Sequence, residues 1–327
     1  MPQWTAGRRC VLGAVLALPV LSVASGCRKK GTPARDMPVL VAAIAAEQDL
    51  VLTYEAARSA RAAAARLLDP ALAHHREHVT FLRRHYIPGS GDRAHEGAEI
   101  PAPKAMALPS SPGRAQAALR QAEGAAAARL AAAAATADPG LAQLFASIGA
   151  CDAGHAGQRP VAVPRLAVPP GAMRGVTLDS MQKVLAAEHL AVYGYGVLGA
   201  KVPGTPHRTA RTLWDAHRVQ RDALTDAMSA SGARPQAAAA AYRLPVRPNS
   251  ARGAAQLAAA LEDRVVAACV ELAGAPVPSL RHFAAAAAQA AMGRAAQWRA
   301  SAGLPVAHGA FPGLPPAALT PAPRPGD

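Results

Sequence analysis

Residues 45–54 read Ala-Ala-Glu-Gln-Asp-Leu-Val-Leu-Thr-Tyr, and residues 186–195 read Ala-Ala-Glu-His-Leu-Ala-Val-Tyr-Gly-Tyr. Each places a Glu (Glu47, Glu188) seven residues before a Tyr (Tyr54, Tyr195), two helical turns apart and so on one helix face. Leu50 and Val51 fall at helical spacing from Glu47, which turns that face toward a core. The likeness extends outward. His75-Arg76 lies 28 residues after Glu47 and His217-Arg218 lies 29 after Glu188; Glu123 follows Glu47 by 76 and Glu262 follows Glu188 by 74. Three coincidences in register indicate a tandem duplication of one helical unit.

The rest of the chain agrees with helix. It has 327 residues, 51% of them apolar but only 4% aromatic, and Ala dominates the apolar set. Ala loses no side-chain entropy on entering a helix. The β-branched and aromatic runs that strands need are scarce, which excludes all-β and doubly wound α/β folds. Clusters of Pro and Gly at 88–113, 160–171, 243–250 and beyond 304 separate eight segments of helical spacing: 36–65, 69–86, 114–136, 140–157, 177–200, 206–231, 250–274 and 278–302. The expectation is an all-α protein of two tandem four-helix bundles, at 37–158 and 177–302. A Pro-rich linker at 159–176 joins them and a Pro-rich tail at 303–327 follows.

An inward carboxylate or imidazole is costly unless it is paired or bound to metal. In the first bundle the expected inward groups come from all four helices. Glu47 lies on the first and Glu123 on the third. The second carries His74-His75-Arg76-Glu77-His78, where either His75/His78 or His74/Glu77 can hold an ion from one turn. The fourth carries Asp152-Ala153-Gly154-His155. One Glu from each of two helices plus an acid-x-x-His turn from each of the others is the ligand pattern of di-iron carboxylate bundles. Hard oxygens and imidazoles suit iron or manganese. Tyr54 is placed to hydrogen-bond beside such ligands. Gly149, Gly154 and Gly157 weaken the fourth helix by about 1 kcal/mol each relative to Ala.

On these residues the first half resembles the ferritin and bacterioferritin type of bundle, which implies a di-iron or di-manganese centre. Oxidation of Fe²⁺ or consumption of peroxide are its implied activities. The pattern departs from that family where Asp152 replaces a Glu and where the second helix lacks Glu-x-x-His. The second half carries Glu188-His189-Leu190-Ala191-Val192-Tyr193-Gly194-Tyr195, His217-Arg218, Ala241-Tyr242-Arg243-Leu244-Pro245, Leu261-Glu262, Gln297-Trp298-Arg299 and Phe311-Pro312-Gly313-Leu314-Pro315. These residues resemble a ferritin-like domain of unknown function found in bacterial lipoproteins and secreted proteins. Its fourth helix offers only Gln289, Arg294 and Gln297 in place of Asp152 and His155, so this copy is expected to be structural. Glu188 would pair there with Arg218 or His217, and with Glu262, in a buried polar network.

Residues 1–26 read as a targeting segment, with Arg8-Arg9 before an apolar run from Val11 to Val23 that is too short to span a bilayer. Ala24-Ser25-Gly26-Cys27 resembles a bacterial lipoprotein signal, which implies lipidation of Cys27, a tether over 27–36, and a location on the extracytoplasmic face of the cell membrane. Acyl chains anchor by about 0.8 kcal/mol per buried CH₂. Arg8-Arg9-Cys10-Val11-Leu12 also resembles a twin-arginine export signal, the alternative to the general secretory route. The net charge of +14 comes mostly from dispersed Arg, which favours an anionic envelope polymer or a protein partner. With no interleaving of aromatic and basic residues, nucleic acid is not an expected partner. A lipid tether and a fused second bundle obstruct packing into a symmetric cage. The alternative function is a non-catalytic helical scaffold that presents this basic surface. Cys151 and Cys269 read as small buried hydrophobes.

Overall fold

Pro at the first helical turn and Gly or Ala at the ends punctuate the chain much as its sequence predicts. The computed structural model describes residues 36–60, 65–86, 99–157, 163–304 and 309–319. The leader, Cys27 and the twin-arginine pair lie outside the described residues, as does the tail beyond Leu319. The described residues form eight α-helices and no strand, an all-α fold: α1 Met37–Ala60, α2 Ala65–His85, α3 Pro112–Thr136, α4 Pro139–Ala156, α5 Gly175–Gly199, α6 Gly204–Ala230, α7 Ala251–Leu272 and α8 Pro278–Ser301. A short 3-10 turn, Pro316–Leu319, follows.

Helices α1 to α4 pack on one another, and so do α5 to α8; α1 pairs with α2, α3 with α4, α5 with α6 and α7 with α8. The two sets are not merely strung on a linker. Helix α4 lies along α8, α3 also meets α8, and the described residues form one compact unit. The sequences of α4 and α8 explain this seam. Both are apolar almost all round, so each must be covered on every side. Gly149 and Gly154 bring α4 close to α8: a Cβ at Gly149 would stand 2.6 Å from Gln289 Nε2, and one at Gly154 would stand 3.2 Å from Met292. What these glycines cost in helix propensity they return in close packing. Gln289 donates to the Ala127 carbonyl on α3 at 2.6 Å. Arg281 donates to the Ala134 and Ala135 carbonyls at the C-terminal end of α3, at 2.9 and 2.8 Å. That cation suits the negative end of the α3 dipole.

Helix α1 is long and apolar enough to cross a membrane by length and composition alone. It is nevertheless amphipathic, with Leu40, Ile44, Glu47, Leu50, Tyr54 and Ala57 buried at helical spacing against α2 and α3. The segment 309–315, expected to belong to a trailing tail, packs back on the molecule. Ser147 on α4 donates to the Pro312 carbonyl at 2.8 Å, and Phe311 sits on the rings of Phe81 and His78 of α2. Gly313, at φ 79°, approaches α7 at Ala267 and Val270, where a side chain would be both strained and crowded.

Candidate metal centre

Helix α2 buries Ala71, Leu72, His75, His78 and Leu82, one stripe at i, i+3 and i+4 spacing. That phase settles the choice left open by sequence: His75 and His78 point inward, while Glu77 is exposed and stands outside the site. Glu77 is therefore corrected from a candidate ligand to a solvated acid. Opposite α2, α1 supplies Glu47, α3 supplies Glu123 and α4 supplies Asp152, all fully buried.

These groups converge. His75 Nδ1 is 2.9 Å from Glu47 Oε2, and His75 Nε2 is 2.9 Å from Glu123 Oε1. His78 Nδ1 is 3.0 Å from the same Glu47 oxygen and 3.7 Å from Asp152 Oδ1. Its other nitrogen, Nε2, donates to the Ala310 carbonyl at 2.7 Å. Tyr54 donates to Glu123 Oε1 at 2.6 Å. One donor atom from each of Glu47, His75, His78 and Asp152 lies within 4.8 Å of every other, so this buried group can hold a metal ion. Glu123 stands on the far side of the His75 ring.

His155, expected beside Asp152 as a ligand, faces elsewhere. Its Nε2 is 3.1 Å from His74 Nδ1, and Cys151 Sγ is 3.4 Å from His74 Nδ1 and 3.5 Å from His155 Nε2. Cys151 is thus not only the apolar filler expected from its setting. Sequence reasoning also missed the tail, whose Gly309 and Ala310 carbonyls face Cys151 and His78. With His78 and Ala310 separated by 232 positions, no local pattern could have announced that contact.

Charge is what burial makes expensive here. Burial raises the Glu47 carboxyl, but His78 and His75 outweigh it and hold the group well below the usual carboxylate range. Glu123 is lowered in the same way, burial being overcome by His75. His75 is opposed by burial yet driven well upward by Glu123 and Glu47, so it serves as an imidazolium wedge between two carboxylates. For Asp152 burial dominates and Glu47 and Glu123 add to it, while His75 opposes them only in part, so the group is pushed well up. Burial and the acids Asp152 and Glu123 raise the Cys151 thiol. His74 and His155 are each lowered to about 4, mainly by burial.

A metal cation fits these residues by a direct test. Glu47 Oε1, Glu123 Oε2 and both Asp152 oxygens are buried without a hydrogen-bond partner. Four orphaned oxygens among three carboxylates and two imidazoles cost several kcal/mol unless a cation meets them.

The second bundle repeats the wedge. His217 Nδ1 is 2.7 Å from Glu188 Oε2, its Nε2 is 3.2 Å from Glu262 Oε1, and Tyr195 donates to that oxygen at 2.6 Å. The expected alternative, Arg218, is corrected: it points outward, 3.6 Å from Asp215 and stacked on Trp214. A different arginine enters. Arg294 Nε donates to Glu262 Oε1 at 2.9 Å, its Nη2 lies 2.8 Å from Oε2, and Trp298 donates to Tyr195 at 2.9 Å. Aligning Pro139 with Pro278, which open the two fourth helices, sets Arg294 at the position of His155 and Ala291 at that of Asp152.

Fold and site together define an all-helical protein with one carboxylate–imidazole group able to take a metal ion and one closed by its own arginine. Residues 180–316, from α5 through the tail segment, match the family described as "Domain of unknown function (DUF4439)". Among solved structures, the chain is similar to the conserved hypothetical protein rv2844 from Mycobacterium tuberculosis. The two are 30% identical, over 38% of this chain and 96% of that one, with a TM-score of 0.37. No curated protein matches the chain.

Proposed function

We propose that the first bundle binds iron or manganese through Glu47, His75, His78 and Asp152, in a ferritin-like protein of two fused bundles. The observation that carries this reading is the cation deficit of the first bundle: three buried carboxylates, four orphaned oxygens, and no counterpart of Arg294. Hard carboxylate oxygens with imidazole nitrogens are the donor set of redox-active iron and manganese sites. Such an ion, when bound, supplies one-electron chemistry toward dioxygen or peroxide.

The chain's own residues have definable parts. Glu47 and, once its proton is released, Asp152 bring charge from α1 and α4, while His75 and His78 bring imidazole nitrogens from α2. Glu123, whose Oε2 is also orphaned, is the carboxylate available to a second ion, and Tyr54 fixes it by donating to Oε1. A cleft of about 380 Å³ between α1 and α3 reaches Glu47, with Arg129 among its lining residues, and gives small molecules an approach. On the opposite side, Phe311 and the Ala310 carbonyl cover His78. The leader and Cys27 support the further proposal that the protein is lipid-anchored on the outer face of the cell membrane.

The test is metal content. Full-length protein stripped with chelator, loaded with Fe²⁺ without oxygen or with Mn²⁺, and then desalted should retain metal. Asp152→Asn should lose most of it. Without metal that variant should be as stable as the parent or more stable, because it removes an acid that its neighbours oppose. Absence of metal from every preparation would leave the scaffold reading, with the Arg-rich surface facing an anionic polymer or a protein.

A further inference from the structure

Beside the carboxylate group lies a second set of donors of different chemistry. His74 precedes His75 on α2, and Cys151 precedes Asp152 on α4, so the two sets occupy adjacent faces of the same two helices. His155 lies one turn after Cys151 and completes a triangle with sides of 3.1, 3.4 and 3.5 Å. We propose that His74, Cys151 and His155 form a separate binding site for a divalent transition metal of intermediate softness, such as Zn²⁺ or Cu²⁺.

Three observations converge on it. The first is geometry. Around a tetrahedral ion with metal–nitrogen bonds near 2.05 Å and a metal–sulfur bond near 2.3 Å, ligand edges are about 3.3 Å between nitrogens and about 3.6 Å between nitrogen and sulfur. The observed sides match this ordering and fall short by only 0.1–0.2 Å, roughly. The second is donor type. One thiolate with two imidazoles selects zinc or copper over the iron or manganese suited to the carboxylate group. The third is the internal comparison. Aligning the paired helices sets Ala216 at the position of His74, Ala290 at that of Cys151 and Arg294 at that of His155. The second bundle packs the same Glu-His-Glu-Tyr network without any of the three donors, so bundle packing does not require them.

On binding, the Cys151 sulfur–hydrogen bond breaks, the proton passes to water, and the sulfur lone pair forms the metal bond with no change of oxidation state. His74 is half-buried, which gives the ion a way in. The tail lies over the site, with the Gly309 carbonyl 3.7 Å from the sulfur. This site stands independently of the carboxylate reading.

Cobalt(II) is the probe, because a thiolate ligand gives it a charge-transfer absorption that oxygen and nitrogen ligands do not. Reduced, metal-free, full-length protein titrated with Co²⁺ should develop that band and saturate it at one equivalent per chain. Cys151→Ser should abolish the band, and His74→Asn should weaken the affinity that it reports at least tenfold, with helix content by circular dichroism confirming both folds. Cys269→Ser should leave the band intact. Glu47→Gln should also keep it while losing Mn²⁺, which separates this site from the carboxylate one. A wild-type protein without the band at saturation, or a band that survives Cys151→Ser, would overturn the proposal even if Mn²⁺ binds normally.

Discussion

The two bundles share one buried sentence and end it differently. Each wedges an imidazole between two glutamates and ties the second glutamate to a tyrosine: Glu47, His75, Glu123 and Tyr54 in the first, Glu188, His217, Glu262 and Tyr195 in the second. The second bundle then closes its charge with Arg294 and caps Tyr195 with Trp298. The first adds a third carboxylate, Asp152, and leaves its oxygens without partners. A buried acid is tolerable with its cation and costly without one. The difference teaches that the shared network is scaffold, and that whatever is particular to the first bundle lies in the residues added to it: His74, His78, Cys151, Asp152 and His155.

Removing one partner from each network should break the comparison most sharply. Glu262→Ala takes the carboxylate from Arg294 and the acceptor from Tyr195, leaves His217 with Glu188 alone, and should cost about 3–5 kcal/mol in denaturant unfolding. Glu123→Ala in metal-free protein should cost less than half of that, since Glu47 still holds His75 and an orphaned oxygen disappears. Equal costs would mean that the first network is as well compensated as the second.

A smaller effect follows from pH. Glu262 and Glu188 overcome burial and raise His217 to about 9 in the folded protein, against an unfolded value near 6.5. Its contribution is therefore complete below pH 6.5 and is lost as pH climbs through 9, on the order of 3 kcal/mol. Glu262 runs the other way. Burial is outweighed by Arg294 and His217, which hold it near 2, so its contribution is present above pH 4.5 and is lost as pH falls toward 2. Stability of metal-free protein should decline on both flanks of a plateau between about pH 4.5 and 6.5. His217→Gln should flatten the alkaline flank, and an unchanged flank would contradict the wedge. The smallest effects belong to residues that the structure puts outside: Glu77→Ala and Arg218→Ala should each shift stability by no more than about 0.5 kcal/mol.

Helix positions were legible in the sequence because Pro and Gly mark their ends and Ala fills their bodies. Glu47, Tyr54 and Glu123 were legible from their recurrence, since α1 keeps a clean apolar stripe around the first two. The choice on α2 was legible in principle: Leu72 and Leu82 share the stripe of His75 and His78. The phase of α4 was not. A helix buried on every side has no outward face, so periodicity cannot say whether His155 looks to Asp152 or to Cys151. The same full burial hid the seam with α8. Contacts made by Ala310 and Phe311 depend on where a distant segment returns, which local pattern does not encode.

Metal content across a matched pair of variants tests the central claim most directly. Wild type, Glu47→Ala and Glu188→Ala are loaded side by side with Mn²⁺, desalted and assayed for bound metal, with circular dichroism confirming that each is folded. Glu47→Ala should lose its manganese, whereas Glu188→Ala should bind as much as wild type and show only reduced stability. Equal loss from both variants would contradict the assignment of the metal to the first bundle.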